Sequence, residues 1–259
     1  MVKEVPLLRI LITGSTGRLG RELLRVFPES YAPSRLEMDI RLRDRVHQYI
    51  ARVRPDVIIH TAALTGIRQC EDDKILAWST NVTGTENLVN SVLQFSPNAY
   101  LIFVSTACVF YGDRGGYTED DVPNPKNYYA LTKLIAETAV RNAHISHWLI
   151  IRTNFAAREK WPYQRAFVDR FGTYLFADDL AQAIKSLIPR SLEGIIHVCG
   201  DKRISMLELA RLTNPKVQGM TMNDYAGPPL TIDMSLASKK IERFRLCNES
   251  PEIVHQVSL

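Results

Sequence analysis

The segment Thr13-Gly14-Ser15-Thr16-Gly17-Arg18-Leu19-Gly20 limits what this chain can fold into more than any other stretch. It follows the apolar run Leu7–Thr13. It opens Gly17–Phe27, where Leu19, Leu23, Leu24 and Phe27 recur at helical spacing until Pro28 ends the pattern. A buried strand, a glycine turn and a helix start, in that order, form a cradle for a pyrophosphate. Glycine lets the backbone approach the ligand, and the helix N-terminus presents free N–H groups and partial positive charge. The spacing is GxxGxxG, not GxGxxG, so taken alone the segment also fits a purely structural turn.

The rest of the pattern sets the context. Ser30–Arg35, Asp56–Ala63, Tyr100–Thr106 and Trp148–Thr153 read as strands, the first of them weak. Arg43–Arg54, Ile75–Phe95 and Tyr129–Asn142 read as helices between them. Such alternation predicts an α/β fold, a Rossmann-type doubly wound parallel sheet with helices on both faces. After Thr153 the period loosens, then a helix is expected at Leu175–Ile188, a strand at Gly194–Val198 and a short helix at Ser205–Leu212. The expected organisation is a dinucleotide-binding domain at 1–153 and a small substrate-binding part at 154–259. Segments near 174–200 return to the core, and the small part sits over the carboxyl ends of the strands, where open α/β sheets bind ligands.

Bulk properties remove other classes. The 259 residues are 46% hydrophobic and 23% charged, enough for a core without staples. A net charge of +4 with scattered basic residues does not describe a nucleic-acid binder. No apolar run approaches the ~18 residues of a membrane span, and the N-terminal run is too short for a signal segment, so a cytoplasmic protein is expected. Cys70, Cys108, Cys199 and Cys247 stand far apart without a CxxC pair, which predicts reduced thiols and no metal.

An acid normally follows the second strand of a NAD site and holds the ribose hydroxyls. Here that region reads Tyr31-Ala32-Pro33-Ser34-Arg35. Arg18 and Arg35 can meet a 2′-phosphate, or simply remain solvated, so the expectation leans to NADP with NAD still open. Asp39 and Ile40 come too late for the ribose and are expected at the edge of the adenine pocket. Thr61, Ala62 and Ala63 are small enough to let a cofactor approach, or to pack within the sheet.

Tyr129 and Lys133 stand four apart on a predicted helix and share a face. A free phenol titrates near 10, and bringing it toward neutrality takes about 4 kcal/mol of differential interaction, which a neighbouring ammonium can supply. Thr106 closes its strand on the ligand side and can hold a substrate oxygen with Tyr129, while Ser105 points to the other face.

Taken together, TGSTGRLG, HTAA (His60–Ala63), NVTGTENL (Asn81–Leu88), VSTACVFYG (Val104–Gly112) and YYALTK (Tyr128–Lys133) follow the order of the extended short-chain dehydrogenases/reductases. Within that superfamily the chain most resembles the dTDP-4-dehydrorhamnose reductases. Gly116-Tyr117-Thr118-Glu119 is similar to their GxYxE loop, and Arg152-Thr153 to their strand end. The resemblance implies a catalytic Thr106, Tyr129 and Lys133. It implies cofactor contacts from Gly14, Thr16, Gly17, Arg18, Leu19, Gly20, Arg35, Asp39, Ile40, Thr61, Ala62, Ala63, Asn81, Tyr129 and Lys133. Substrate contacts would come from Thr106, Ala107, Arg152, Asn154 and Phe155. Arg158, Lys160, Arg165 and Arg170 would meet a diphosphate or only solubilise the surface.

Two departures stand out. Ala107 replaces the acid expected after the threonine, and the segment between Thr153 and Asp169 is short. Ala107-Cys108 also lacks the Asp-Glu pair of the dehydratases. The leading reading is an NAD(P)H-dependent reductase of a nucleotide-linked 4-keto-6-deoxy sugar with Tyr129 as proton donor, with a homodimer left open. The alternatives are a sugar-nucleotide epimerase of the same superfamily and a non-catalytic NADP-binding regulatory subunit, as in methionine adenosyltransferase.

Overall fold

The computed structural model describes residues 8–246. The beginning of the first apolar run and Cys247 lie outside that range. Five parallel strands form the central sheet in the spatial order Ile10–Thr13, Val57–His60, Tyr100–Val104, His147–Arg152 and Gly194–His197. Alternate residues of each strand face opposite sides. Leu11, Ile58, Leu101, Phe103 and Ile150 pack against helices Arg43–Val53, Gly84–Phe95 and Tyr128–Asn142. Ile12, Ile59, Ile102, Ile151 and Ile196 pack against helices Arg18–Val26 and Ala177–Leu187. Both faces are therefore buried, which is why the strands read as unbroken apolar runs.

The expected strand at Ser30–Arg35 is reduced to one bridge. Tyr31 exchanges two backbone hydrogen bonds with Ile10 and Ile12, each 2.8 Å, and the pairing stops there. Pro33 has no N–H to continue an edge ladder. This remnant places the reversal of strand order between Ile10–Thr13 and Val57–His60, so their carboxyl ends flank the ligand crevice of such sheets.

The helix expected over Ile75–Phe95 is three pieces: Lys74–Trp78, a π-helical turn at Ser79–Thr83, and Gly84–Phe95. A separate short helix, Ile67–Asp72, precedes them. The aperiodic region after Thr153 holds strands of two or three residues. Arg165–Phe167 pairs with Gln218–Met220, and Phe171–Gly172 lies between Ile204–Ser205 and Asp233–Met234. Segments so short have no period to read. Ser205 caps helix Met206–Thr213 through a reciprocal capping box with Glu208. Among the described residues no helix is long and apolar enough to cross a membrane.

Candidate active site

The glycine turn folds as its chemistry requires. Gly14 has a φ of +72°, and a Cβ there would sit 2.6 Å from the Ala62 amide nitrogen. A Cβ on Gly20 would overlap the Gly14 carbonyl oxygen. Gly17 donates to that carbonyl at 2.9 Å and starts helix Arg18–Val26 with no side-chain cap and no acid in the first turn. The helix thus presents uncapped N–H groups and an unneutralised positive end.

A cavity of about 340 Å³ opens beside this turn. Gly14, Thr16, Gly17, Arg35, Asp39, Ile40, Thr61, Ala62 and Ala63 all line it, together with Thr13, Ser15, Pro33, Met38 and Thr80. Its size falls in the range of small-molecule sites. The glycine cradle and the uncapped helix start suit a pyrophosphate, and Pro33, Met38 and Ile40 offer apolar surface for a base. The residues present therefore fit a dinucleotide. Pro33, Met38 and Thr80 carried no signal in the sequence, because their position depends on the loop after Tyr31 and on the π turn.

Arg18, Leu19 and Asn81 are not among the residues lining this cavity, and Asp39 lines it already engaged. Arg18 faces a neighbouring cleft with Arg21, Arg25 and Arg158. The Leu19 side chain is in the core, 3% exposed. Asp39 lines the cavity, but Arg41 binds its carboxylate through Nε at 3.0 Å and Nη2 at 2.6 Å, which holds its pKa below the usual carboxylate value. Asn81 turns away from the cavity. Its Oδ1 accepts from the Leu64 amide at 2.7 Å, and its Nδ2 donates to the Leu64 carbonyl at 3.0 Å and to the Thr132 hydroxyl at 2.9 Å. It clamps the Thr61–Leu64 loop to the helix that carries Tyr129.

A buried histidine supports the same wall. The Thr85 hydroxyl spends its proton on the Asn81 carbonyl at 2.7 Å, so His60 Nε2, 3.0 Å away, donates to Thr85. His60 Nδ1 then accepts from the Thr13 hydroxyl at 2.6 Å, and that oxygen receives the Ala62 amide at 3.3 Å. Burial, reinforced by the Lys133 charge, lowers the His60 pKa to about 3, so the ring stays neutral.

Tyr129, Lys133 and Thr106 come together under this wall. Asn127 caps helix Tyr128–Asn142, accepting from the Ala130 amide at 2.9 Å, and sets the face on which Tyr129 and Lys133 lie. Burial raises the Tyr129 pKa, and a hydrogen bond with the Thr106 hydroxyl opposes that shift. Lys133 is 3% exposed. Its ammonium donates to the Val104 carbonyl at 2.9 Å and lies 4.0 Å from the centre of the Phe103 ring. Burial lowers its pKa to about 7, against the pull of Glu137. The expectation that a lysine charge eases ionisation of the phenol meets a different balance here, in which burial dominates both groups.

The substrate side is filled by the chain's own side chains. Arg152 is 2% exposed and binds Glu137 through Nε at 3.0 Å and Nη2 at 2.7 Å, while the Ser105 hydroxyl donates to the same carboxylate at 2.5 Å. Asn154 donates to the Met234 carbonyl at 2.7 Å. Ala107 is fully buried, and Phe155 packs against the core around Leu175. Arg158 bridges Asp178 at 2.6 Å and Asp179 at 3.0 Å; Arg165 reaches Asp224 at 3.9 Å; Arg170 donates to the Thr231 carbonyl at 2.9 Å. Lys160 stays exposed. Segment 226–234 is stitched across this side by Arg68 to the Ala226 carbonyl at 3.3 Å and by Asn127 to the Pro229 carbonyl at 3.0 Å. Cys70, Cys108 and Cys199 are free and buried, and the described residues contain no cluster of His, Cys, Asp and Glu that could hold a metal.

With this geometry in view, the chain belongs to the family described as the RmlD substrate binding domain, whose profile matches residues 8–222. Methionine adenosyltransferase 2 subunit beta of Rattus norvegicus is 34% identical to it, over 96% of this chain and 86% of that protein. The dTDP-4-dehydrorhamnose reductase of Aggregatibacter actinomycetemcomitans is 28% identical over 78% of this chain and 76% of its own length. Among solved structures, the dTDP-4-dehydrorhamnose reductase of Bacillus anthracis in complex with NADP superposes with a TM-score of 0.85 at 26% identity, covering 96% of this chain and 99% of that one.

Proposed function

We propose that this protein binds NADP(H) in the cavity beside Gly14 and acts as the cofactor-binding, non-catalytic subunit of a methionine adenosyltransferase. The observation that carries this reading is the contrast between the two sides of the site. The cofactor side is an open cradle. On the substrate side Arg152, and two of the four basic residues expected to meet a diphosphate, Arg158 and Arg170, are bound to the chain's own groups. The methionine adenosyltransferase 2 subunit beta of Rattus norvegicus also matches over more of this chain, and at higher identity, than the Aggregatibacter actinomycetemcomitans reductase does. Arg35 on the cavity wall favours a 2′-phosphate, and Asp39, occupied by Arg41, has little capacity left for ribose hydroxyls.

One observation favours a second reading, reduction of a nucleotide-linked 4-keto-6-deoxy sugar. The Thr106 hydroxyl is close enough to Tyr129 to pull its pKa down against burial, and Lys133 lies one helical turn away. NADPH, when bound, supplies a hydride. The chain's own part would be to hold a proton on the Tyr129 oxygen beside Thr106 and to pass it to the substrate oxygen. The raised phenol pKa keeps that proton in place and makes it a weaker acid.

One experiment separates the readings. Purified protein is titrated with NADPH and NADH, assayed for NADPH oxidation with dTDP-4-dehydrorhamnose and related keto sugars, and mixed with a methionine adenosyltransferase catalytic subunit. Our reading expects tighter binding of NADPH than NADH, a preference lost in Arg35→Ala, no turnover, and a stable complex with altered transferase kinetics. Turnover that disappears in Tyr129→Phe would establish the reductase instead. Turnover without net cofactor consumption would point to the epimerase.

A further inference from the structure

Residues 226–232 cross the substrate side between the 3₁₀ turn Met222–Asp224 and strand Asp233–Met234, and they belong to no helix or strand. Their polar anchorage is through carbonyls alone. Arg68 donates to the Ala226 carbonyl at 3.3 Å, Asn127 to Pro229 at 3.0 Å, Arg170 Nε to Thr231 at 2.9 Å, and the Phe171 amide to Ile232 at 2.9 Å. Pro228 and Pro229 have no N–H, and among the described residues the stretch donates no hydrogen bond of its own.

The stretch runs past the groups of the site. Asn127 caps the helix that carries Tyr129. Thr231 abuts Gly112, where a Cβ would lie 2.5 Å from the Thr231 methyl carbon. Just beyond, Met234 Sδ lies 3.3 Å from Cys108 Sγ, and the Cys108 amide donates to the Thr106 hydroxyl oxygen at 3.1 Å. Ala226, Gly227, Pro229 and Ile232 are exposed, whereas Leu230 and Thr231 turn inward, 8% and 0% exposed. The polar groups under this cover are poorly matched. The Thr231 hydroxyl has no partner in the protein, and neither has that of Tyr174, which packs with Cys108 and Met234. The buried Arg170 turns Nη2 to Met234 Sδ at 3.3 Å and Nη1 to Met206 Sδ at 4.0 Å, and a thioether is a weak acceptor. Closing therefore takes these groups from water without giving them equivalent partners.

We propose that residues 226–232 are a strap that opens as a unit, without global unfolding, and controls entry to the Thr106–Tyr129 side of the site. Opening swings Leu230 and Thr231 outward and returns the Thr231 hydroxyl and the Arg170 guanidinium to water. Both ends have fixed points to turn on. Thr221 and Asp224 form a reciprocal capping box on one side, and on the other Asp233 is held by Arg203 Nε at 2.8 Å and donates its amide to the Gly112 carbonyl at 3.2 Å. A segment held by a few bonds at its carbonyls belongs to the low-stability end of local opening. No strap residue lines the glycine cavity, so the gate acts on the second half of the site and serves a reductase and a regulatory subunit alike.

The test is labelling of the full chain by iodoacetamide under native conditions, followed peptide by peptide in a mass spectrometer. Thr231→Cys places a thiol under the strap at a residue whose hydroxyl has no bond to lose, and the native Cys199, 1% exposed, reports global unfolding. Two further changes loosen the strap in this background. Arg68→Ala removes one donor. Asn127→Asp removes the donor to Pro229 and keeps a carboxylate oxygen to cap the helix. The thiol introduced by Thr231→Cys should react well before Cys199. Each loosening change should speed its labelling roughly three- to tenfold, the effect of one lost hydrogen bond, and leave Cys199 unchanged. Labelling that keeps pace with Cys199, or that neither change accelerates, overturns the proposal. If Thr231→Cys does not fold, amide hydrogen exchange compares wild type with Asn127→Asp. Faster exchange at the Phe171 amide, with Ile102 in the central sheet unchanged, supports the strap, and equal exchange at Phe171 overturns it.

Discussion

Lys133 shows how one side chain can be readable in a motif and still surprise in its setting. The YxxxK spacing places it beside Tyr129, yet its ammonium points at the Val104 carbonyl in a nearly dry site. An unfolded lysine titrates near 10.4, whereas burial brings this one to about 7. Between those values the unfolded chain holds a proton that the folded chain does not. Burial therefore costs stability fully below pH 7, and the cost fades as pH rises toward 10. Lys133→Met should raise the melting temperature at pH 6–7, and the gain should shrink by pH 10. Calorimetry across that range checks it, and a pH-independent difference would contradict the account. Residue by residue, the glycine cradle and Thr106, Tyr129 and Lys133 were legible because each depends on a local pattern. Thr80 and Met38 were not, because a π turn and an irregular loop decide where they face. Arg152 was legible as a residue but not as a role, since its partner Glu137 lies on another element.

At the scale of elements, that pair is the clamp between helix Tyr128–Asn142 and strand His147–Arg152. Both side chains are almost completely buried, and Ser105 ties the neighbouring strand end to the same carboxylate. Removing one partner strands a buried charge. Glu137→Gln should cost about 3–5 kcal/mol of stability, while Glu137→Leu with Arg152→Leu should cost much less than the sum of the singles. Chemical denaturation of wild type, Glu137→Leu, Arg152→Leu and the double variant measures the coupling, and additive losses would contradict it. The strands and long helices were visible because an apolar run or a 3.6-residue period is a property of the segment itself. The Ser30–Arg35 strand failed at Pro33, and the break at Ser79–Thr83 leaves no mark in hydropathy. The two-residue strands after Thr153 are defined by their partners, not by their own sequence.

At the scale of the whole molecule, the segments before and after Thr153 share one sheet and one core. Strand Gly194–His197 pairs along His147–Arg152, and helix Ala177–Leu187 covers Ile12, Ile102 and Ile151 together with helix Arg18–Val26. A fragment ending at residue 153 would leave one sheet edge unpaired and most of one face bare. Expressed alone, it should show no cooperative melting and no NADPH binding. A fragment that binds NADPH with the affinity of the full chain would show that this coupling has been overstated.

The late strand also bears on synthesis. Every residue lining the glycine cavity has been made by Thr80, whereas the sheet edge that steadies it arrives only with His197. At about 5–20 residues per second, the growing chain carries a finished binding motif on an unfinished scaffold for several seconds. During that interval the apolar face of the sheet must be shielded by something other than the protein's own last third. The cavity is therefore completed by the last elements of the fold rather than by the residues that line it.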